Sequence, residues 1–221
     1  LVAKVEHAYL ITHFRPIVVL SALYRIWATV MLRKILPLLR EVLPGSIKGF
    51  VKESDVRQLV YKLQTEIEKA IRDGTPLVGW VSDVTKCFNL LPRDEIKSTL
   101  EAMGAPKHFI HPWFNMLGRL QRFFTSGAVV SKPEGSLTGF PEGDPLSILA
   151  LLVFNMFVDF HYQSFEGLEG QSPSELSMYV DNLDIKAASR AELQGFEESR
   201  QSLLAAVSQA GVDLDEAQSF Y

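Results

Sequence analysis

The sequence predicts an α+β fold with a small, mostly antiparallel sheet. Apolar residues recur at helical spacing over 19–38 and again over 56–71. A short apolar run, Leu77-Val78-Gly79-Trp80-Val81-Ser82-Asp83, reads as a buried strand ending in a carboxylate. A third pattern, over 176–188, folds back on itself across Tyr179-Val180-Asp181-Asn182, where an Asp-Asn pair between apolar runs is a hairpin signal. Helices mixed with short strands and hairpins place the chain in the α+β class.

The elements follow in order. Residues 1–14 alternate weakly, and Pro16 holds Arg15 extended. Leu20, Leu23, Ile26, Trp27, Val30, Met31, Ile35 and Leu38 mark one apolar face of a first helix, kinked or ended by Pro37 and closed by Pro44-Gly45. Ser54-Asp55 starts a second helix, whose expected buried face is Val56, Leu59, Val60, Leu63, Ile67 and Ile71. Asp73-Gly74-Thr75-Pro76 stops it before the Asp83 strand. Pro92 opens a helix through Met103. Another runs over 107–122, and a hairpin begins at Phe123. The glycine-rich loop 136–144 leads into a very apolar helix over 145–162, which Asp144 caps. A surface loop is expected over 163–175, a helix over 190–210, and a strand over 211–215.

Composition bounds the function. A chain of 221 residues can bury one sizeable core. The longest apolar stretch, Leu146 to Val158, is too short for a bilayer and is interrupted by Asn155. The first residues show no signal peptide, and a start at Leu1 points to a partial or processed chain. A single cysteine, Cys87, excludes an internal disulfide and fits an intracellular, reducing compartment. The net charge of −4 is unevenly spread. Residues 1–80 carry 12 Lys/Arg against 7 Asp/Glu, and residues 81–221 carry 10 against 19. A basic front half and an acidic back half suit a phosphate-handling surface followed by a metal-binding one.

Asp83 and Asp181 are the candidate metal ligands. If their strands are neighbours, both carboxylates leave the same sheet edge. Mg²⁺ takes one or two carboxylates and completes its octahedron with phosphate and water at ~2.1 Å. Two such ions ~3.5–4 Å apart activate a hydroxyl and stabilise the leaving oxygen in phosphoryl transfer.

Four stretches in order now carry a resemblance: Phe14-Arg15-Pro16-Ile17; Asp83-Val84-Thr85-Lys86-Cys87-Phe88; Gly139-Phe140-Pro141-Glu142-Gly143-Asp144-Pro145-Leu146-Ser147; and Tyr179-Val180-Asp181-Asn182. A fifth, from Gly211 to Ser219, follows them. Together they resemble the reverse transcriptases, in particular those of non-LTR retrotransposons and group II introns. The resemblance covers nearly the whole chain. It implies a palm-type polymerase fold with a partial fingers subdomain and no thumb. Fingers would lie mainly in 1–75 and part of 107–140, palm mainly in 76–106 and 141–221, with the domain incomplete at both ends.

The resemblance also implies roles. Asp83, Asp181 and Asn182 would be catalytic. Asp83, Asp181 and the Val84 carbonyl would hold two Mg²⁺ ions, with Mn²⁺ as a substitute. Arg15 would contact the incoming triphosphate, which a guanidinium fork suits. Phe88 would be an aromatic gate that leaves no room for a 2′-hydroxyl, favouring dNTP over ribonucleotides. Phe140, Pro141, Glu142 and Gly143 would line the nucleotide pocket. The partners would be a dNTP and an RNA or DNA template–primer, with no membrane.

Some positions depart from the family pattern. Asn182 replaces an aspartate and is a weaker oxygen donor. Glu142 stands for a glutamine, Asp215 for an asparagine, and Gln218 for a lysine expected to donate a proton to pyrophosphate. Asp184 is the nearest acidic substitute for Asn182. These changes support an alternative: a degenerate, weak or inactive domain kept as a nucleic-acid or protein-binding scaffold. A third reading, an RNA polymerase, requires ribonucleotide incorporation. Net negative charge without a thumb predicts weak nucleic-acid affinity for this stretch alone, because phosphate neutralisation supplies most non-specific binding.

Overall fold

The computed structural model describes residues 2–3, 14–15, 18–51, 54–126, 129–136, 138–164, 174–188, 192–193, 195–215 and 218–220. They divide into two units, 1–35 with 88–150 and 36–87 with 151–221. Among the described residues no helix is long and apolar enough to cross a membrane.

The first unit contains a two-stranded ladder, β1 (Val2–Ala3) with β2 (Phe14–Arg15), and most of α1 (Ala22–Arg40). It continues with α4 (Arg93–Ala102) and α5 (Lys107–Gly118). Two more short ladders follow. β4 (Gln121–Arg122) pairs with β7 (Glu134–Gly135), and β5 (Thr125–Ser126) with β6 (Val129–Val130). Its core is aromatic. Trp27 stacks on Phe109, Phe109 meets Trp113, and Trp113 meets Phe140, with ring centroids 6.4, 5.4 and 5.4 Å apart. Ile96 and Leu100 of α4 and Ile110 and Leu117 of α5 complete it.

The second unit is built on a four-stranded antiparallel sheet of order β10-β3-β9-β8. Its strands are β3 (Val78–Asp83), β8 (Glu175–Tyr179), β9 (Asn182–Ala187) and β10 (Gln218–Phe220). Because side chains alternate across a strand, register assigns the faces. Trp80 opposite Ile185, and Met178 opposite Leu183, belong to an apolar face with Leu176 and Ala187, all buried. Asp83, Asn182, Asp184, Lys186, Ser177 and Glu175 share the other, polar face. Most of α6 (Ser147–Gln163) and α7 (Phe196–Gln209) complete this core. The Tyr162 hydroxyl donates to Ser174 O at 2.8 Å, and the Ser202 hydroxyl donates to Tyr162 O at 3.0 Å.

α2 (Val56–Asp73) has the ends its sequence dictates. The Asp55 carboxylate accepts from the Arg57 amide, and Gly74 closes the helix at φ 61°. α2 does not bury the face expected of it, and the apolar stripe of α1 is largely exposed. α2 has no buried residue, and Ile71 is 77% exposed. Along α1, Val19 precedes the helix exposed, Leu23 is 82% exposed, and Ala28 and Leu39 are the buried positions. Periodicity reports which residues share a face, not whether anything covers it. α2 instead joins the polar side of the sheet through ions. Lys186 donates to Glu66 at 2.7 Å and lies 3.5 Å from Glu175, which Lys62 contacts at 2.6 Å.

Other boundaries moved. Pro37 lies inside α1 without ending it. Of the strand expected over 211–215, only Leu214 pairs, as a single bridge to Val84, and the ladder lies at β10. The helix expected over 107–122 ends at Gly118, and that expected over 190–210 is continuous from Phe196.

Candidate active site

The β3–β9 register brings the acidic residues together. Asp83, the last residue of β3, lies opposite Asn182, the first of β9. Side chains directly opposite in an antiparallel pair have Cβ atoms ~5 Å apart. Asp181 precedes Asn182 in a two-residue turn, and its carbonyl accepts the Val84 amide at 2.9 Å. Both acidic residues therefore stand at one end of one strand pair. Cys87 is buried beside this edge. Burial pushes its thiol up, and the charges of Asp181 and Asp83 push it further.

The closing segment reinforces this edge. Asp215 N–H donates to Asp83 O at 2.8 Å, and Thr85 N–H to Asp213 O at 2.9 Å. The Thr85 hydroxyl donates to the Asp215 carboxylate at 2.6 Å, and the Ser82 hydroxyl to Asp215 O at 2.8 Å. Gln218 pairs with Val81 through its backbone; its side chain lies outside the described residues.

Among the described residues no group of three or more His, Cys, Asp or Glu could hold a metal by itself. Two carboxylates with an amide oxygen suit a hard cation that keeps water and phosphate in its shell, as Mg²⁺ does. Asp83 and Asp181 would hold such an ion, with the Val84 carbonyl as a further oxygen. Asp184 lies farther along the polar face, opposite Val81 and Ser177. Burial raises its carboxyl to about 6, Lys186 opposes that, and Glu175 adds to it.

The nucleotide-pocket candidates gather in the first unit. Phe88 lies in α3 (Cys87–Leu90), and its carbonyl accepts the Phe140 amide at 2.6 Å. The Asn89 amide donates to the Glu142 carboxylate at 2.9 Å. Gly139, at φ 72°, passes so close to Asn89 that a Cβ would sit 2.1 Å from its carbonyl oxygen. The Phe140 ring is fully buried between Trp113 and Phe114, and Pro141 is buried too, while Gly143 is exposed. Their side chains hold the loop, leaving Glu142 and the backbone of Gly143 as its accessible groups. Arg15 lies in β2; its side chain is outside the described residues.

Sequence reasoning missed Arg93. Its buried guanidinium donates to Gly139 O at 2.7 Å, Ser136 O at 2.7 Å, Leu117 O at 3.1 Å and Thr138 O at 3.1 Å, clamping the approach to the 139–143 loop. A basic residue in the first helical turn, against the dipole, was the available signal. Asp144, expected to cap a helix from 145, instead closes the turn before α6, which starts at Ser147, and is also a tether. Its carboxylate accepts from the Leu146 amide at 3.0 Å and from the Tyr24 hydroxyl of α1 at 2.7 Å.

Residues 3–218 match the family described as "Reverse transcriptase (RNA-dependent DNA polymerase)". The chain belongs to the reverse transcriptase family. Solved structures give the same fold. Telomerase from Candida tropicalis in complex with a TWJ fragment of telomeric RNA is similar at TM-score 0.58 and 12% identity, covering 87% of this chain and 33% of that one. The apo telomerase of the same organism matches at TM-score 0.57 and 12% identity, covering 89% and 36%. Its form truncated from the C-terminal domain matches at 0.54 and 12%, covering 89% and 41%. This reverse transcriptase chain thus spans roughly two-fifths or less of those telomerases. A search of curated protein sequences finds no match. The small antiparallel sheet packed on helices is the palm-type α+β arrangement of that fold.

Proposed function

We propose that this chain is the fingers–palm part of a retroelement reverse transcriptase that extends a primer on an RNA or DNA template. Fingers correspond mainly to 1–75 and part of 107–140, palm mainly to 76–106 and 141–221. The pairing of Asp83 with Asn182, one residue from Asp181, is the observation that carries the reading.

The primer 3′-hydroxyl attacks the α-phosphorus of a dNTP. A new P–O bond forms, the α–β bridging P–O bond breaks, and pyrophosphate leaves. Asp83 and Asp181 would hold a divalent cation, which would supply Lewis-acid stabilisation of the phosphoryl oxygens. The protein contributes position and charge rather than a covalent intermediate. Arg15 meets the triphosphate, and Phe88 excludes the 2′-hydroxyl.

Asn182 favours one second reading, a weakened or inactive relative, because a neutral amide binds a cation less well than a carboxylate. Primer extension separates the two. The full-length protein is given poly(rA)/oligo(dT), dTTP and Mg²⁺ or Mn²⁺, as wild type, Asp181→Ala and Asn182→Asp. Extension by wild type that Asp181→Ala abolishes supports the polymerase. No extension by wild type, with activity in Asn182→Asp, establishes the decayed form.

A further inference from the structure

We infer that Asn155, supported by Gly49, is a positioning residue that sets the direction of the Asp181 carboxylate; this rests on the reading of Asp181 as a metal ligand. Val180, just before Asp181, has φ 60°, a left-handed conformation that β-branched residues rarely adopt. Such a turn persists only where its surroundings over-determine it.

Two elements do so. The Asn155 side chain of α6 is 1% exposed, and its amide donates to Val180 O at 3.2 Å. Its Oδ1 has no hydrogen-bond partner among the described residues. The second element is a short strap, residues 46–49, laid along β8. Met178 N–H donates to Ser46 O and Lys48 N–H to Met178 O, both at 2.8 Å. At its end Gly49 touches the turn, where a Cβ would stand 2.6 Å from Val180 N. One helical turn beyond Asn155, Asp159 of α6 accepts from the Ser46 hydroxyl. The helix therefore holds both the turn and the strap.

The consequence falls on Asp181. Its preceding peptide is fixed by Asn155 through Val180 O, and its following peptide by the Val84 amide through Asp181 O. With both flanking peptides fixed, the Cα–Cβ direction is fixed, and the carboxylate is aimed before any ion arrives. An amide in an otherwise apolar helical run is the sequence trace of this role.

The test uses the full-length protein with Mn²⁺ as probe, counted by electron paramagnetic resonance, beside primer-extension kinetics and thermal melts. Asn155→Leu keeps the volume and removes the donor. The expected result is an unchanged or higher melting temperature, Mn²⁺ affinity down about 10-fold or more, and kcat down about 10–100-fold, with KM for primer–template within about twofold. Raising Mn²⁺ restores part of the rate. A folded Asn155→Leu with wild-type Mn²⁺ affinity and kcat overturns the inference. If Asn155→Leu does not fold, Gly49→Ala is read by Mn²⁺ affinity and kcat alone, since its new methyl must displace the turn and lower the melting temperature; wild-type values for both overturn the inference. Asp181→Ala separates the layers. If it leaves Mn²⁺ binding intact, the metal-ligand reading itself fails; if it abolishes binding while Asn155→Leu does not weaken it, only the positioning role fails.

Discussion

Replacing Asp184 by Asn should stabilise the protein at neutral pH by an amount that depends on pH. Asp184 lies on the polar sheet face near Lys186, Glu175, Lys62 and Glu66, and burial raises its carboxyl from 3.8 to about 6. A raised acid favours the protonated form in the folded state. Its contribution to stability is therefore present below about pH 4 and lost as pH rises through about 6. A shift of roughly two units corresponds to about 3 kcal/mol. Asn imitates the neutral acid without the ionisation, so wild type and Asp184→Asn should be nearly equal at pH 4. Their difference should grow from pH 4 to 6 and level off at about 3 kcal/mol above pH 7. Urea unfolding at half-unit intervals from pH 4 to 8, read by tryptophan fluorescence, measures that difference. The titrations of other groups cancel where the substitution leaves them alone. A difference that is flat with pH, or that favours wild type as pH rises, would refute the reasoning: Lys186 would then outweigh burial.

Three further outcomes are expected. Arg93→Met should cost about 3–5 kcal/mol in urea unfolding, because four backbone carbonyls lose a buried charged donor. Burial and the neighbouring Arg122 charge already hold that guanidinium below its ordinary value, with Asp94 opposing them, so Arg93→Lys should recover only a small part of the loss. Leu23→Gln should change stability by no more than about 0.5 kcal/mol, since the side chain is exposed; a loss above about 2 kcal/mol would show the face to be covered in solution. Phe88→Ala should raise ribonucleotide incorporation relative to deoxynucleotides at least about tenfold in primer extension, the range that removal of one steric block spans.

Part of the candidate site's local structure was legible in the sequence. Asp83 at a strand end and the Tyr179–Asn182 turn follow from local pattern, because alternation and turn chemistry act over a few residues. The apolar stripes of α1 and α2 were equally legible, yet their burial was not, since covering a stripe depends on distant parts of the chain. Arg93 and Asn155 escaped for the same reason. One reaches carbonyls up to 46 positions away and the other a carbonyl 25 away.

Local chemistry in the sequence determined the elements, their polarity and the residue types at the edge where β3 meets β9. Tertiary structure alone decided that Asp83 faces Asn182, that Lys186 is buried against Glu66, and that an amide from α6 reaches the Val180 carbonyl. The reason is physical: strand register and helix packing are settled by contacts between residues far apart in the chain, and no short window of sequence contains them.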